Sequence, residues 1–416
     1  MEVILEEPVA IITEADDHEF EENVATVGLV LENMLDEISM YGKVQSEGEM
    51  DDLTSEFVYK TIADRNETYG LGEPEFSMEA FKQEPLKYSK ESISSFLSSV
   101  WEKIKEIFAK ILDYLTGKWN NASVSNVAAG RKADLDKREK KLKEAEKIVK
   151  DPSISTEKKA EHLNVTFGKP EDIDPEIFNG YNPAPVTAKH LDYLVLLYKE
   201  LYHRVNELFI KVVDDITFIQ DRASGLIKGK ELFDGPPHWK TTSFIQSSFD
   251  HEKIPAGART TMPGENDTRG LRVQHELLHG MVAIFHIDLN PLSLYQGKFY
   301  TLTKEDGVKT PTIAGIHMDE SLALGVQGKE LAVAVEKFSS VMTGKITACK
   351  NSIIKVQNIF DDVLESAADD MHEVRIALTA LKDIQNLLGF TGRFASMLDS
   401  HSRDLHNVIM KYPCKF

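Results

Sequence analysis

The stretch SISSFLSSVWEKIKEIFAKILDYLTGKW, residues 92–119, contains the strongest helical pattern in the chain. Its apolar side chains recur every three or four positions on one broad face, and they are Ile93, Phe96, Leu97, Val100, Trp101, Ile104, Ile107, Phe108, Ile111, Leu112 and Leu115. This spacing predicts an amphipathic helix. Lysines and acidic residues balance on its polar face, whereas a helix on a membrane surface usually has a net basic one. The pattern therefore favours packing against protein over membrane contact of helix 92–118.

Helical periodicity extends through most of the remaining chain. Residues 126–234 are predicted to be helical, with a charge-laced, exposed helix at 130–151 and an apolar helix at about 187–221. Residues 319–416 predict a C-terminal helical bundle. Between them, 235–318 contains short alternating apolar runs bounded by Gly and Pro, which are typical of strands. The predicted fold is α+β and predominantly α, a helical bundle with a small β-rich insertion.

The excess negative charge lies in the first fifth of the chain. Residues 1–79 contain 22 acidic side chains against Lys43, Lys60 and Arg65, so they carry −19 of the net charge of −20. Such asymmetry usually indicates a tail or a separately acting segment. Apolar residues at helical spacing in 22–42 predict that this acidic leader is partly helical. A Gly-, Pro- and Ser-rich stretch follows it, so we expect residues 80–125 to comprise an exposed linker and the amphipathic helix.

Composition excludes several other classes of protein. Hydrophobic residues make up 42% of the chain, which is enough for apolar cores. The opening MEVILEEPVA has acids where a secretory signal needs a basic flank, and no segment has the apolar length of a membrane span. Cys349 and Cys414 are too few for a disulfide framework or a cysteine zinc cluster. We therefore expect a soluble protein made in a reducing compartment.

One motif suggests catalysis. His275, Glu276 and His279 form the H-E-x-x-H pattern of zinc peptidases, in which a helix projects both imidazoles towards the metal and the glutamate polarises the bound water. His286 is the nearest candidate for a third ligand, but it does not lie at the position that the known motifs use. Apolar and polar residues alternate over Leu271 and the residues after it, which instead indicates a strand. The zinc peptidase, with its leader as an inhibitory prosegment, stays an alternative.

The layout of an acidic helical leader, a linker containing FSMEAF, an aromatic-rich amphipathic helix and a near-neutral helical body resembles internal head (inner-body) proteins of giant tailed bacteriophages. The resemblance is most specific over residues 70–118. It implies a non-enzymatic virion structural protein without a cofactor, with other phage head and core proteins as partners and with packaged DNA nearby. It further implies assembly in the host cytoplasm and a final location in the virion interior.

The resemblance also implies a propeptide that the prohead protease removes after a glutamate preceded, two residues earlier, by a small residue. Ser77 and Glu79, followed by Ala80, fit this pattern, and Ser89 with Glu91 is the second choice. Cleavage after Glu79 would separate the leader from a body whose net charge is −1. Before cleavage, the leader helix is expected to direct co-assembly with a scaffold. A third alternative is an adaptor or scaffold protein whose acidic tail persists.

Overall fold

The structure is a computed structural model, and it describes residues 14–47, 50–118, 121–178, 186–228, 259–261, 270–276, 278, 281–288, 297–303, 312–366 and 371–415. The helices among these residues are α1 (Glu14–Glu47), α2 (Asp52–Tyr69), α3 (Met78–Gln83), α4 (Pro85–Lys118), α5 (Asn121–Lys150), α6 (Thr156–Phe167), α7 (Ala188–Ile227), α8 (Met318–Ser366) and α9 (Met371–Lys411). Short 3-10 turns occupy Pro170–Asp172 and Pro175–Phe178. The predominantly helical fold predicted from the sequence is confirmed.

The centre of the bundle is formed by the long apolar helices α7, α8 and α9, which pack on one another. The apolar face of α4 is buried on this core, together with α1. Ten of the eleven apolar residues that predicted the amphipathic helix are buried, and Ile107 is partly buried against them. Trp101 of α4 contacts Phe360 of α8 with ring centroids 4.3 Å apart, and its indole N–H donates to Asp361. The face predicted to contact protein therefore contacts the body of the same chain.

Helix α5 differs from the exposed helix that its charge predicted. One stripe of α5 is buried against the bundle, and it comprises Ala128, Arg131, Leu135, Arg138, Leu142 and Ala145. Arg138 donates to the carbonyl oxygens of Met410 and Tyr412, each at 2.7 Å, and to the Ser321 hydroxyl at 3.1 Å. The remaining face carries the expected pairs four apart, such as Lys143 with Glu139. Helix α5 is thus a charged helix with a packed seam.

Strands occupy little of the described chain. Strands β1 (Arg259–Thr261), β2 (Gly270–Glu276), β3 (Met281–Asp288) and β4 (Gly297–Thr303) pair antiparallel in that order. Strands β5 (Ile316–His317) and β6 (Cys414–Lys415) form a separate two-stranded parallel sheet. Much of 235–318 lies outside the described residues, so the β-rich insertion over that whole range stays a prediction.

Candidate processing site and leader interface

The Glu79–Ala80 bond lies in the first turn of α3, a helix of six residues. It follows the loop after α2, where Gly70 ends the helix in the left-handed conformation with φ of 67°. Ser77 caps α3, since its Oγ accepts a hydrogen bond from the backbone N–H of Ala80 at 3.2 Å. The side chains of Ser77 and Glu79 are exposed. The first-choice cleavage sequence therefore lies on the surface, in a single short helix that one side-chain cap stabilises.

Aromatic side chains fix the chain on both sides of this bond. Phe81, directly after Ala80, is fully buried, and its ring stacks on Phe76 with centroids 5.9 Å apart. Phe76 also stacks on Tyr88 of α4, at 4.7 Å. Tyr59 of α2 contacts both phenylalanine rings edge-on. The segment predicted to be an exposed linker is thus folded against α2 and α4, and its exposed part is shorter than expected.

The second-choice sequence lies in a different environment. Ser89 and Glu91 are both within the 34-residue helix α4, and Ser89 is 1% exposed. Ser92, directly after Glu91, is also buried and accepts a hydrogen bond from the Arg65 guanidinium. Cleavage there would require the first turns of α4 to unwind, whereas cleavage after Glu79 opens the six-residue helix α3. Local exposure thus favours Glu79.

The leader helix α1 is part of the main core of the bundle. Its apolar face is buried against α4 and α9, and the buried residues of that face are Phe20, Val24, Val27, Leu31, Met34, Ile38 and Tyr41. Here the structure differs from the separately acting segment that the charge predicted. The apolar face through which the leader was expected to meet a scaffold is occupied by its own body.

Polar contacts bind both leader helices, α1 and α2, to α4. Asp17 of α1 accepts hydrogen bonds from Tyr114, from Lys118 at 2.7 Å and from Ser396 of α9 at 2.7 Å. Burial opposes ionisation of Asp17, but these three donors and the charge of Lys118 outweigh it, so the pKa of the carboxyl is lowered.

The second polar contact involves a buried ion pair. Arg65 of α2 donates to Glu37 of α1 at 2.9 Å, and its guanidinium lies 4.8 Å from the centroid of the Phe96 ring of α4. Burial raises the pKa of Glu37, against the opposing effect of Arg65. An ion pair of this kind depends on both partners, since removing one would leave an uncompensated charge in the core. It joins α1, α2 and α4 at one point.

The residues of the zinc motif are not on a helix where the structure describes them. His275 and Glu276 are in strand β2, opposite Ala283 and Val282 of β3, and His286 is in β3 opposite Arg272. His279 lies outside the described residues. The H-E-x-x-H mechanism requires a helical turn beginning at the first histidine, and β2 does not provide it. Within the described part of the chain, no three His, Cys, Asp or Glu side chains are grouped as metal ligands would be.

Among the described helices, none is long and apolar enough to cross a membrane. The apolar face of α4 that surface membrane binding would need is buried in the bundle.

Two glycines of α9 contact the leader, and hydrophobic periodicity does not identify them. Gly389 and Gly392 of α9 lie under α1, and a Cβ atom at position 389 would be 2.6 Å from Cγ1 of Val24. Two glycines three apart within an otherwise strongly apolar helix are the available signal, because that spacing places both on one face and permits close helix approach.

Comparison of the chain with protein-family models, with curated proteins and with solved structures gave no match.

Proposed function

We propose that the chain is a non-enzymatic internal structural protein of a tailed-phage head, made as a precursor and processed after Glu79. Its proposed partners are the other head and core proteins of the particle, and the prohead protease is its processing enzyme. Assembly would take place in the host cytoplasm, and the mature protein would lie in the virion interior. The proposed body is a helical bundle with a β-rich insertion over 235–318.

One observation carries this proposal. The exposed glutamate that fits the processing pattern lies at the boundary between a segment of charge −19 and a body of charge −1, and outside the long helices. A dense acidic segment would repel packaged phosphates, and at physiological salt that repulsion extends about 8 Å. Removing it would let DNA fill the space around the body. The near-neutral body implies that any contact of the body with DNA is local.

The experiment is the intact mass and N-terminal sequence of the protein from purified native particles. We expect a chain that begins at Ala80. Glu79→Gln should block this processing, whereas Glu75→Gln in the exposed loop before α3 and Glu91→Gln should leave it unchanged. A mature chain that begins at Ser92 would move the site into α4, and one that begins at Met1 would contradict maturation.

A second candidate is an adaptor or scaffold protein whose acidic segment persists. The observation that favours it is the burial of α1 in the main core, since a helix that contributes seven core side chains is an ordinary part of a fold. This candidate predicts that Met1 and Ala80 remain in one chain in the native particle or complex.

A further inference from the structure

We propose that α4 and α9 form a helix-binding groove whose ligand is α1, and that this groove retains the leader non-covalently after the Glu79–Ala80 bond is cut. The inference rests on the proposed function only for which bond is cut. Cleavage and release would then be two separate steps, and the negative charge would leave the body only at the second.

The floor of the groove is shaped for α1. Gly392 of α9 lies against the ring of Phe20, and a Cβ atom at that position would overlap the ring atom Cζ. Phe20 has little room to move, because its ring stacks on Tyr114 of α4 with centroids 4.4 Å apart. Val24 occupies the corresponding position over Gly389. The two glycines therefore admit one large side chain each from the helix above.

A polar contact in the groove fixes the register of α1. Gln385 of α9 is buried, and its side-chain amide donates to the backbone carbonyl oxygen of Val24 at 2.7 Å. The same amide lies against Gly28, where a Cβ atom would be 3.0 Å from Nε2. A shift of α1 by one residue would break this hydrogen bond and remove both apolar side chains from their glycines. The groove thus selects a particular segment rather than any amphipathic helix.

Among the described residues, the contacts between α1 and the body do not depend on the covalent link at Glu79. Asp17 is bound to Lys118 and Ser396, and Glu32 on the outer side accepts from Lys382 of α9 at 2.7 Å. Residues 80 onwards supply every one of these partners. Cleavage would remove the covalent link between the leader and the body. The burial of the apolar face of α1 and its ion pairs with the body would remain.

The test uses the full-length protein with a recognition sequence for a site-specific protease inserted between Gly72 and Glu75, where the chain is outside the helices. After complete cutting, the products are passed over a size-exclusion column in non-denaturing buffer and identified by mass. We expect the leader and the body to elute together and to separate only in denaturant. Separation in buffer, or precipitation of the body while the leader stays in solution, would overturn the inference.

Matched variants test whether retention of the cut leader depends on the groove. Gly392→Leu should speed dissociation of the cut leader by roughly tenfold or more, because the side chain would displace Phe20. Gly344→Leu, on an exposed face of α8 with nothing near its Cβ position, should leave retention unchanged. If Gly392→Leu does not fold, Asp17→Asn serves in its place, and retention as tight as that of the unsubstituted protein would contradict the groove. Because an added protease makes the cut, failure here would leave processing after Glu79 untouched.

Discussion

Gly392 of α9 lies directly beneath the ring of Phe20 of α1, so closely that no side chain fits between them. This contact joins the acidic leader to the last helix of the bundle.

Gly392→Ala should therefore destabilise the protein. Alanine favours a helix over glycine by up to about 1 kcal/mol, but overpacking typically costs about 1–3 kcal/mol, and the stacked Phe20 and Tyr114 rings limit relaxation. We expect a lower free energy of unfolding in urea titrations. Gly344→Ala, which meets no atom within 4 Å, is the control and should raise stability by roughly 0.5–1 kcal/mol. Equal effects of the two substitutions would contradict the close approach.

Asp383 predicts a dependence of stability on pH. Burial raises the pKa of this carboxyl to about 8, and the charges of Arg222 and Lys382 only partly oppose it. The pKa of Asp383 is higher in the folded protein than in the unfolded chain, so between about pH 4 and pH 8 the unfolded chain has released a proton that the folded protein still holds. The free energy of unfolding therefore falls as the pH rises through this range. Asp383→Asn should therefore gain stability over the unsubstituted protein across that range, by more than about 1 kcal/mol at pH 8.

Thermal unfolding at pH 5 and pH 8.5 measures this difference. Asp113→Asn, at an exposed position of α4 whose carboxylate is 74% exposed, is the control and should show no such trend. A constant difference between Asp383→Asn and the unsubstituted protein at both pH values would contradict a buried protonated carboxyl.

Ser77→Ala should make the Glu79–Ala80 bond easier to cut. The change removes the acceptor for the Ala80 N–H, and loss of an N-cap typically costs about 1 kcal/mol, which corresponds to a roughly fivefold larger population of the frayed helix. Limited digestion with a glutamate-specific endoprotease, followed by mass spectrometry, should show faster formation of the fragment that begins at Ala80. Ser155→Ala removes the equivalent cap from α6 and should not change this rate. Alanine keeps the small residue of the processing pattern, so the proposed processing after Glu79 should still occur.

Zinc content separates the structural protein from the peptidase. With His275 and Glu276 in strand β2, we expect the purified protein to contain less than about a tenth of an equivalent of zinc, and His275→Ala to leave that value unchanged. Elemental analysis after dialysis against metal-free buffer measures it. A full equivalent that His275→Ala abolishes would instead establish the H-E-x-x-H site.

The extent to which the sequence predicted the fold can be seen in α4 and α5. In α4 the apolar spacing identified the buried face, because every third or fourth residue is apolar and nothing on that face competes. In α5 the same spacing includes Arg131 and Arg138, so the charge pattern predicted an exposed face where the helix is in fact buried. The carbonyl groups that satisfy Arg138 lie 272 and 274 residues away along the chain, and no local pattern shows them.

The leader shows the same limit at the candidate site. Periodicity correctly predicted that α1 is helical, but it does not specify whether the apolar face packs within the chain or on another protein. Net charge then favoured a separate segment, whereas the partners of α1 are set by the shapes of Gly389, Gly392 and the α4 face. The exposure of Glu79 depends on the packing of Phe76 and Phe81, which hold the chain on either side of it. This packing is also a tertiary contact that local sequence does not show.

The pairing of α1 with α9 has a consequence for how the protein is made. The hydrogen bond from Gln385 to Val24 spans 361 residues, so α1 leaves the ribosome long before the helix that receives it has been translated. Until then the α1 face can pack only on α4, the earlier of its two partner helices, and such a long closure slows folding and exposes apolar surface to aggregation. Helix α1 is therefore expected to be among the last of the described helices to reach its native position, and a nascent chain that stops short of α9 would leave part of the apolar face of α1 exposed.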